Sequence, residues 1–122
     1  MGREYLRQVV VFEDHFKEFR QVLGREALKK LYHVLTLIMV VETVPKKFLK
    51  AIEGRKGLFE IRSEYGGETY RVFCCFDEGN LVILFNGFQK KTQKTPQKEL
   101  DKAEELMRKY FEQKKMSGNE KG

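Results

Sequence analysis

Two arginines and three lysines are the side chains whose type and spacing could do chemistry: Arg62, Arg71, Lys90, Lys91 and Lys94. The lysines fall in Phe85-Asn86-Gly87-Phe88-Gln89-Lys90-Lys91-Thr92-Gln93-Lys94-Thr95-Pro96. There an apolar run, Leu81 to Phe85, passes into three cations with no acid among them, then into a Thr-Pro helix start. A dense positive patch at the end of a sheet, beside a helix N-terminus, suits an anion, and the anion it points to is a nucleic-acid backbone. Arginine in particular matches phosphate with two parallel donors.

The hairpins that carry these residues allow a register to be predicted. A loop closing symmetrically on Gly66-Gly67 puts Arg62 opposite Arg71, and one centred on Glu78-Gly79 puts Arg71 opposite Asn86. Alternation then gathers Arg62, Arg71, Asn86, Phe88 and Lys90 on one face, with Glu60 and Glu64 flanking Arg62. The other face reads Phe59, Ile61, Tyr65, Tyr70, Val72, Cys74, Phe76, Leu81, Ile83 and Phe85, a core face for two helices to cover. Leu58, Phe73, Val82 and Leu84, at one end of the cationic face, are expected to receive the last helix. Opposed arginines repel. Either Glu60 and Glu64 neutralise them in a structural ladder, or a bound phosphate does. Lys90, Lys91 and Lys94 extend the positive field, and Phe88 and Tyr65 offer rings on which bases could stack.

The elements that must position this face can be read along the chain. Tyr5 to Phe12 reads as a strand, His15 to Leu23 as a short helix, and Arg25 to Thr43 as a longer one with Leu28, Leu31, Leu35 and Ile38 in a stripe. Lys46 to Lys56 reads as a basic connection. Strands follow at Leu58 to Tyr65, Glu68 to Phe76 and Leu81 to Lys90. Thr95 as N-cap and Pro96 at the first helical position open a last helix carrying Leu100, Ala103, Leu106, Met107, Tyr110 and Phe111. The organisation expected is one domain over residues 1–115 and a frayed tail over 116–122.

Of the formal net charge of +6, residues 43–98 hold 11 basic and 6 acidic side chains, so nearly all the excess lies in the strand region. The apolar run Val34 to Val41 is too short to span a bilayer, and the N-terminus has no signal-peptide pattern. Cys74 and Cys75 are adjacent, so neither an intrachain disulfide nor a metal site is expected, and a reducing cytoplasm fits. His15 and His33 both fall in the N-terminal helices, which leaves the cationic face without an ordinary general base. No Walker loop, dinucleotide fingerprint or serine nucleophile elbow is present, and no cofactor is expected.

The run Gly57-Leu58-Phe59-Glu60-Ile61-Arg62, Thr69-Tyr70-Arg71-Val72-Phe73 and Phe88 to Pro96, after strand-helix-helix and Lys50-Ala51-Ile52-Glu53-Gly54, resembles the HigB-like, phage-derived branch of the RelE/ParE toxin superfamily. The resemblance covers roughly residues 5 to 112. It implies a small α+β domain: an antiparallel-rich twisted sheet, two N-terminal helices on one face, and a C-terminal helix. It also implies a toxin of a type II toxin–antitoxin pair that cleaves messenger RNA on the ribosome, with a helix-turn-helix, HigA-like antitoxin as partner in a hetero-oligomer. Carried over by motif, Arg62, Arg71 and Lys90 would be catalytic and Lys91 and Lys94 would bind RNA; Asn86, Phe88, Tyr65 and Lys56 are expected to bind RNA beside them. In RelE, lysines precede the first arginine on its strand; here Leu58 and Glu60 stand there. The alternatives are a ParE-like inhibitor of DNA gyrase and an inactive phage-derived binding protein.

Overall fold

The computed structural model describes residues 5–91 and 94–121. Its elements run β1 (Gln8–Val11), α1 (His15–Gln21), α2 (Arg25–Val40), β2 (Leu49–Ala51), β3 (Phe59–Tyr65), β4 (Glu68–Asp77), β5 (Leu81–Lys90) and α3 (Gln97–Lys121). The five strands form one mixed sheet in the order β1-β5-β4-β3-β2, with β1 parallel to β5 and the rest antiparallel. This is the small α+β architecture expected. β2 lies within Lys46 to Lys56, which the sequence suggests is only a connection. Three residues are too few to show alternation, and the strand exists because Leu49, Lys50 and Ala51 pair with Ile61, Glu60 and Phe59.

The Gly66-Gly67 turn closes as predicted. Both glycines have positive φ, +60° and +81°, and the register across it sets Arg62 opposite Arg71. The second turn departs from the expectation. Asp77 pairs with Leu81 across three residues, with Glu78 and Gly79 at positive φ, and the register then shifts once more. Val72 pairs with Gly87 but Cys74 with Leu84, so Phe85 and Asn86 together stand against Phe73. This β-bulge reverses the alternation of β5 partway along its length. Arg71 therefore faces Phe88, not Asn86.

The three-residue turn, which shifts the register by one place before the bulge is reached, corrects the facial assignment of the first half of β5. Val82 and Leu84 pack with Ile61, Tyr70, Val72 and Cys74 under α1 and α2, whose buried stripe is Phe16, Phe19, Ala27, Leu31, Val34, Leu35 and Ile38. Ile83 and Phe85 belong instead to the opposite face, with Leu58, Phe73, Cys75 and Phe88, beneath Ala103 and Leu106 of α3. Beyond the bulge Gly87 turns to the α1 side, where an added Cβ would lie 2.5 Å from the Phe19 ring.

The helix α3 begins at Gln97, with the Pro96 carbonyl accepting from the N–H groups of Glu99 and Leu100, so the expected Thr95 cap falls one residue early. The helix runs to Lys121. It is held at mid-length by Asp77, which accepts from the Tyr110 hydroxyl at 2.7 Å and from Lys114 Nζ at 2.8 Å. Burial and this bond to a carboxylate push the Tyr110 phenol up to about 12.

Gly87→Ala should destabilise the fold by about 1–3 kcal/mol, because the ring it meets is itself packed in the core. Urea unfolding measures this, and an unchanged midpoint would show that the close approach of α1 to β5 is not what the geometry implies.

Candidate nucleic-acid interface

Four cations converge on one buried carboxylate at the end of the α3 face that the helix leaves open. Alternation and register bring them there from three strands: Lys50 on β2 opposite Glu60, Arg62 on β3 opposite Arg71 on β4, and Lys90 on β5 opposite Thr69. Arg71 Nη1 donates to Glu60 Oε1 at 2.8 Å, and Arg62 Nε approaches the same oxygen at 3.5 Å. Glu60 and Arg71 are both buried, at 7% and 4% exposure, while the Arg62 side chain is 30% exposed.

The carboxylate thus bridges the arginines, as the ladder arrangement requires, but it does not balance the cluster. With Glu64 exposed on the same face of β3, two negative charges stand against four positive ones; Glu60 Oε2 has no hydrogen-bond partner, and neither does Arg71 Nε. Burial, and then the charge of Arg62, lower the Arg71 guanidinium below its ordinary range against the opposing pull of Glu60 and Glu64. It remains protonated at any ordinary pH. Burial also lowers the Lys90 ammonium; Arg71, Arg62 and Lys50 add to that, and Glu60 opposes it. A group whose charge its surroundings penalise is poised to accept an anion or to give up a proton.

The remaining expected residues divide. Phe88 lies on this face, 8% exposed and stacked on Phe73 at 5.6 Å, so it is a wall of the α3 core that borders the site. Asn86 shares the face but is drawn to α3, donating to the Glu99 carbonyl and carboxylate at 3.2 and 3.0 Å. Lys91 and Lys94 are exposed beyond the end of β5, and Thr92 and Gln93 lie outside the described residues. Tyr65 is not part of the site: it stands on the α2 side, beside Glu26, Lys29, Lys30 and His33, because its parity on β3 is that of Ile61. Lys56 is elsewhere too. It lines a groove of about 760 Å³ whose α3 wall carries Asp101, Glu104 and Glu105 and does not suit an anion.

Lys50 is the functional candidate that sequence reading missed. Only the short β2 pairing brings it beside Glu60, and nothing in Leu49-Lys50-Ala51 announces a strand. Among the described residues no group of three or more His, Cys, Asp or Glu side chains could hold a metal ion. No helix among them is long and apolar enough to cross a membrane.

An anion bound among these cations should raise the Lys90 pKa, since it favours the protonated form. The Lys90 resonance, followed by NMR with and without inorganic phosphate, should therefore titrate at higher pH when phosphate is present. A titration unmoved by phosphate would mean that the anion does not bind here.

Residues 17–108 match the family described as phage-derived protein Gp49-like (DUF891). No curated protein matches the chain. The match spans most of the sequence, from α1 through the sheet and into α3, and so includes every strand that carries the cation cluster. The chain therefore belongs to the Gp49-like family of phage-derived proteins, a part of the RelE/HigB-type toxin family.

Proposed function

We propose that the chain is the toxin of a type II toxin–antitoxin pair, of the HigB-like branch, and that it cleaves messenger RNA on the ribosome in the cytoplasm. The observation that carries this reading is the unbalanced cluster of Lys50, Arg62, Arg71 and Lys90 around Glu60. A phosphodiester would supply the missing negative charge.

Cleavage of this kind is attack of a ribose 2′-oxygen on the neighbouring phosphorus, with loss of the 5′-oxygen. Its demands are alignment and stabilisation of charge developing on the phosphorane. Arg62, the more exposed arginine, contacts the phosphate. Arg71, held beneath it by Glu60, keeps the local potential positive and fixes Arg62's neighbour. Lys90, with its ammonium pKa lowered, can give a proton to the departing oxygen. Glu60 is committed to the arginines as their counter-ion, and neither histidine belongs to the cluster: His33 lies on the α2 side and His15 in the cleft beside α1. Alignment by the ribosome relieves the chain of a full acid–base pair. A helix-turn-helix antitoxin is the partner this reading requires.

Arg62→Ala and Lys90→Ala should each reduce cleavage by about 10²-fold or more, the scale for loss of one preorganised charge in a transition state. Both side chains are less buried than Arg71, so the fold should survive. Brief induction in bacteria, with pulse-labelling of protein and DNA synthesis and mapping of mRNA 5′ ends, tests the reading. It predicts new ends inside translated frames, absent in both variants. A fall in DNA synthesis with intact messages would instead favour a gyrase inhibitor, with the cationic face as a protein-binding surface.

A further inference from the structure

The outer edge of β5 carries a feature that the phosphate site does not use. β1 accompanies β5 only to Leu84, whose carbonyl accepts from the Phe12 N–H; among the described residues no strand pairs with that edge beyond it. A cleft of about 390 Å³ opens there between α1, β5 and the first turns of α3, with His15, Phe19, Asn86, Phe88, Glu99 and Lys102 in its walls. Phe88 is the cross-strand partner of Arg71, so the cleft adjoins the cation cluster.

The buried atoms of this cleft without hydrogen-bond partners are all acceptors. Asn86 is 2% exposed, and its amide nitrogen is used by Glu99, which leaves Oδ1 buried without a partner. His15 Nε2 stands 3.0 Å from the Glu13 carboxylate, which can only accept. In the neutral ring the proton is therefore on Nε2, and Nδ1, buried and also without a partner, is a bare acceptor. The carboxylates of Glu18 and Glu99 add further acceptors, and Lys102 is the cation of the lining. Buried acceptors left unmade are costly, so the site favours a ligand edge that donates. Both atoms are shut from water in the free chain.

We propose that this cleft is a base-reading pocket, which takes the nucleobase next to the phosphate held at the cation cluster and prefers bases bearing an amino group over uracil. Adenine and cytosine each present an exocyclic amino donor, and guanine presents an amino and an imino donor side by side. Uracil offers one imino donor between two carbonyl oxygens, which would face the acceptors of the cleft unfavourably. The β-bulge creates the pocket by keeping Asn86 on the same side as Phe85 and Phe88 and within reach of α3. The inference rests on the nuclease reading for its ligand class.

The test is NMR titration of the full chain with AMP, CMP, GMP and UMP, and of His15→Leu, Asn86→Ala and Lys90→Ala, each checked for fold by circular dichroism. The amino-bearing nucleotides should bind about threefold to tenfold more tightly than UMP, the scale of one hydrogen bond. That preference should shrink in His15→Leu, which alters a partly exposed side chain, and in Asn86→Ala, while Lys90→Ala should weaken all four together. Equal binding of all four, or a preference untouched in His15→Leu, overturns the pocket. If Lys90→Ala still weakens binding in that case, the phosphate site stands. Failure of every nucleotide to bind, or indifference to Lys90→Ala, overturns the phosphate reading and the pocket with it.

Discussion

The interaction on which the rest depends is the buried ion pair between Glu60 and Arg71, with Arg62 drawn to the same oxygen. Two arginines cannot stand opposite each other on a hairpin, one of them almost sealed from water, unless a carboxylate lies between them. Glu60 makes the arrangement tolerable, and it does so incompletely. Lys50 and Lys90 arrive from the flanking strands and restore the positive excess. The resulting site is held inside the sheet rather than on a loop. Its potential is fixed before any ligand arrives, the condition under which electrostatic stabilisation is most effective.

Everything else in the fold serves to leave this end of the sheet open while closing the other. The helix α3 covers Leu58, Phe73, Phe85 and Phe88 and is pinned by Asp77 through Tyr110 and Lys114. Helices α1 and α2 close the opposite face, α1 so tightly that only glycine fits at position 87. The bulge between these packings lets one strand serve both. It supplies apolar residues to each core and then returns Phe88 and Lys90 to the cationic side. A regular strand could not do both.

Much of this was legible in the sequence, and what was not has local causes. The Arg62–Arg71 pair followed from Gly66-Gly67, because a two-residue turn with positive φ at both positions permits one register. The faces of β5 did not follow, because a three-residue turn and a bulge each shift parity by one, and neither Glu78-Gly79-Asn80 nor Phe85-Asn86 declares its geometry. The aromatic ring of Tyr65 suggests a place in the site, but its parity with Ile61 puts it on the other face. Lys50 was passed over because β2 exists only through its partner strand. The motif that pointed to the family lies across β3, β4 and β5, where local signals are strongest.

The central claim is that the cluster around Glu60 binds a phosphodiester backbone. Its most direct test is the affinity of the chain for a short RNA, blocked against cleavage by a 2′-deoxy substitution, measured across a range of salt concentrations. The logarithm of affinity should fall linearly with the logarithm of salt concentration, by roughly 0.7 for each phosphate neutralised, and Arg62→Ala should flatten the slope. An affinity indifferent to salt, or a slope that Arg62→Ala leaves unchanged, would contradict the account.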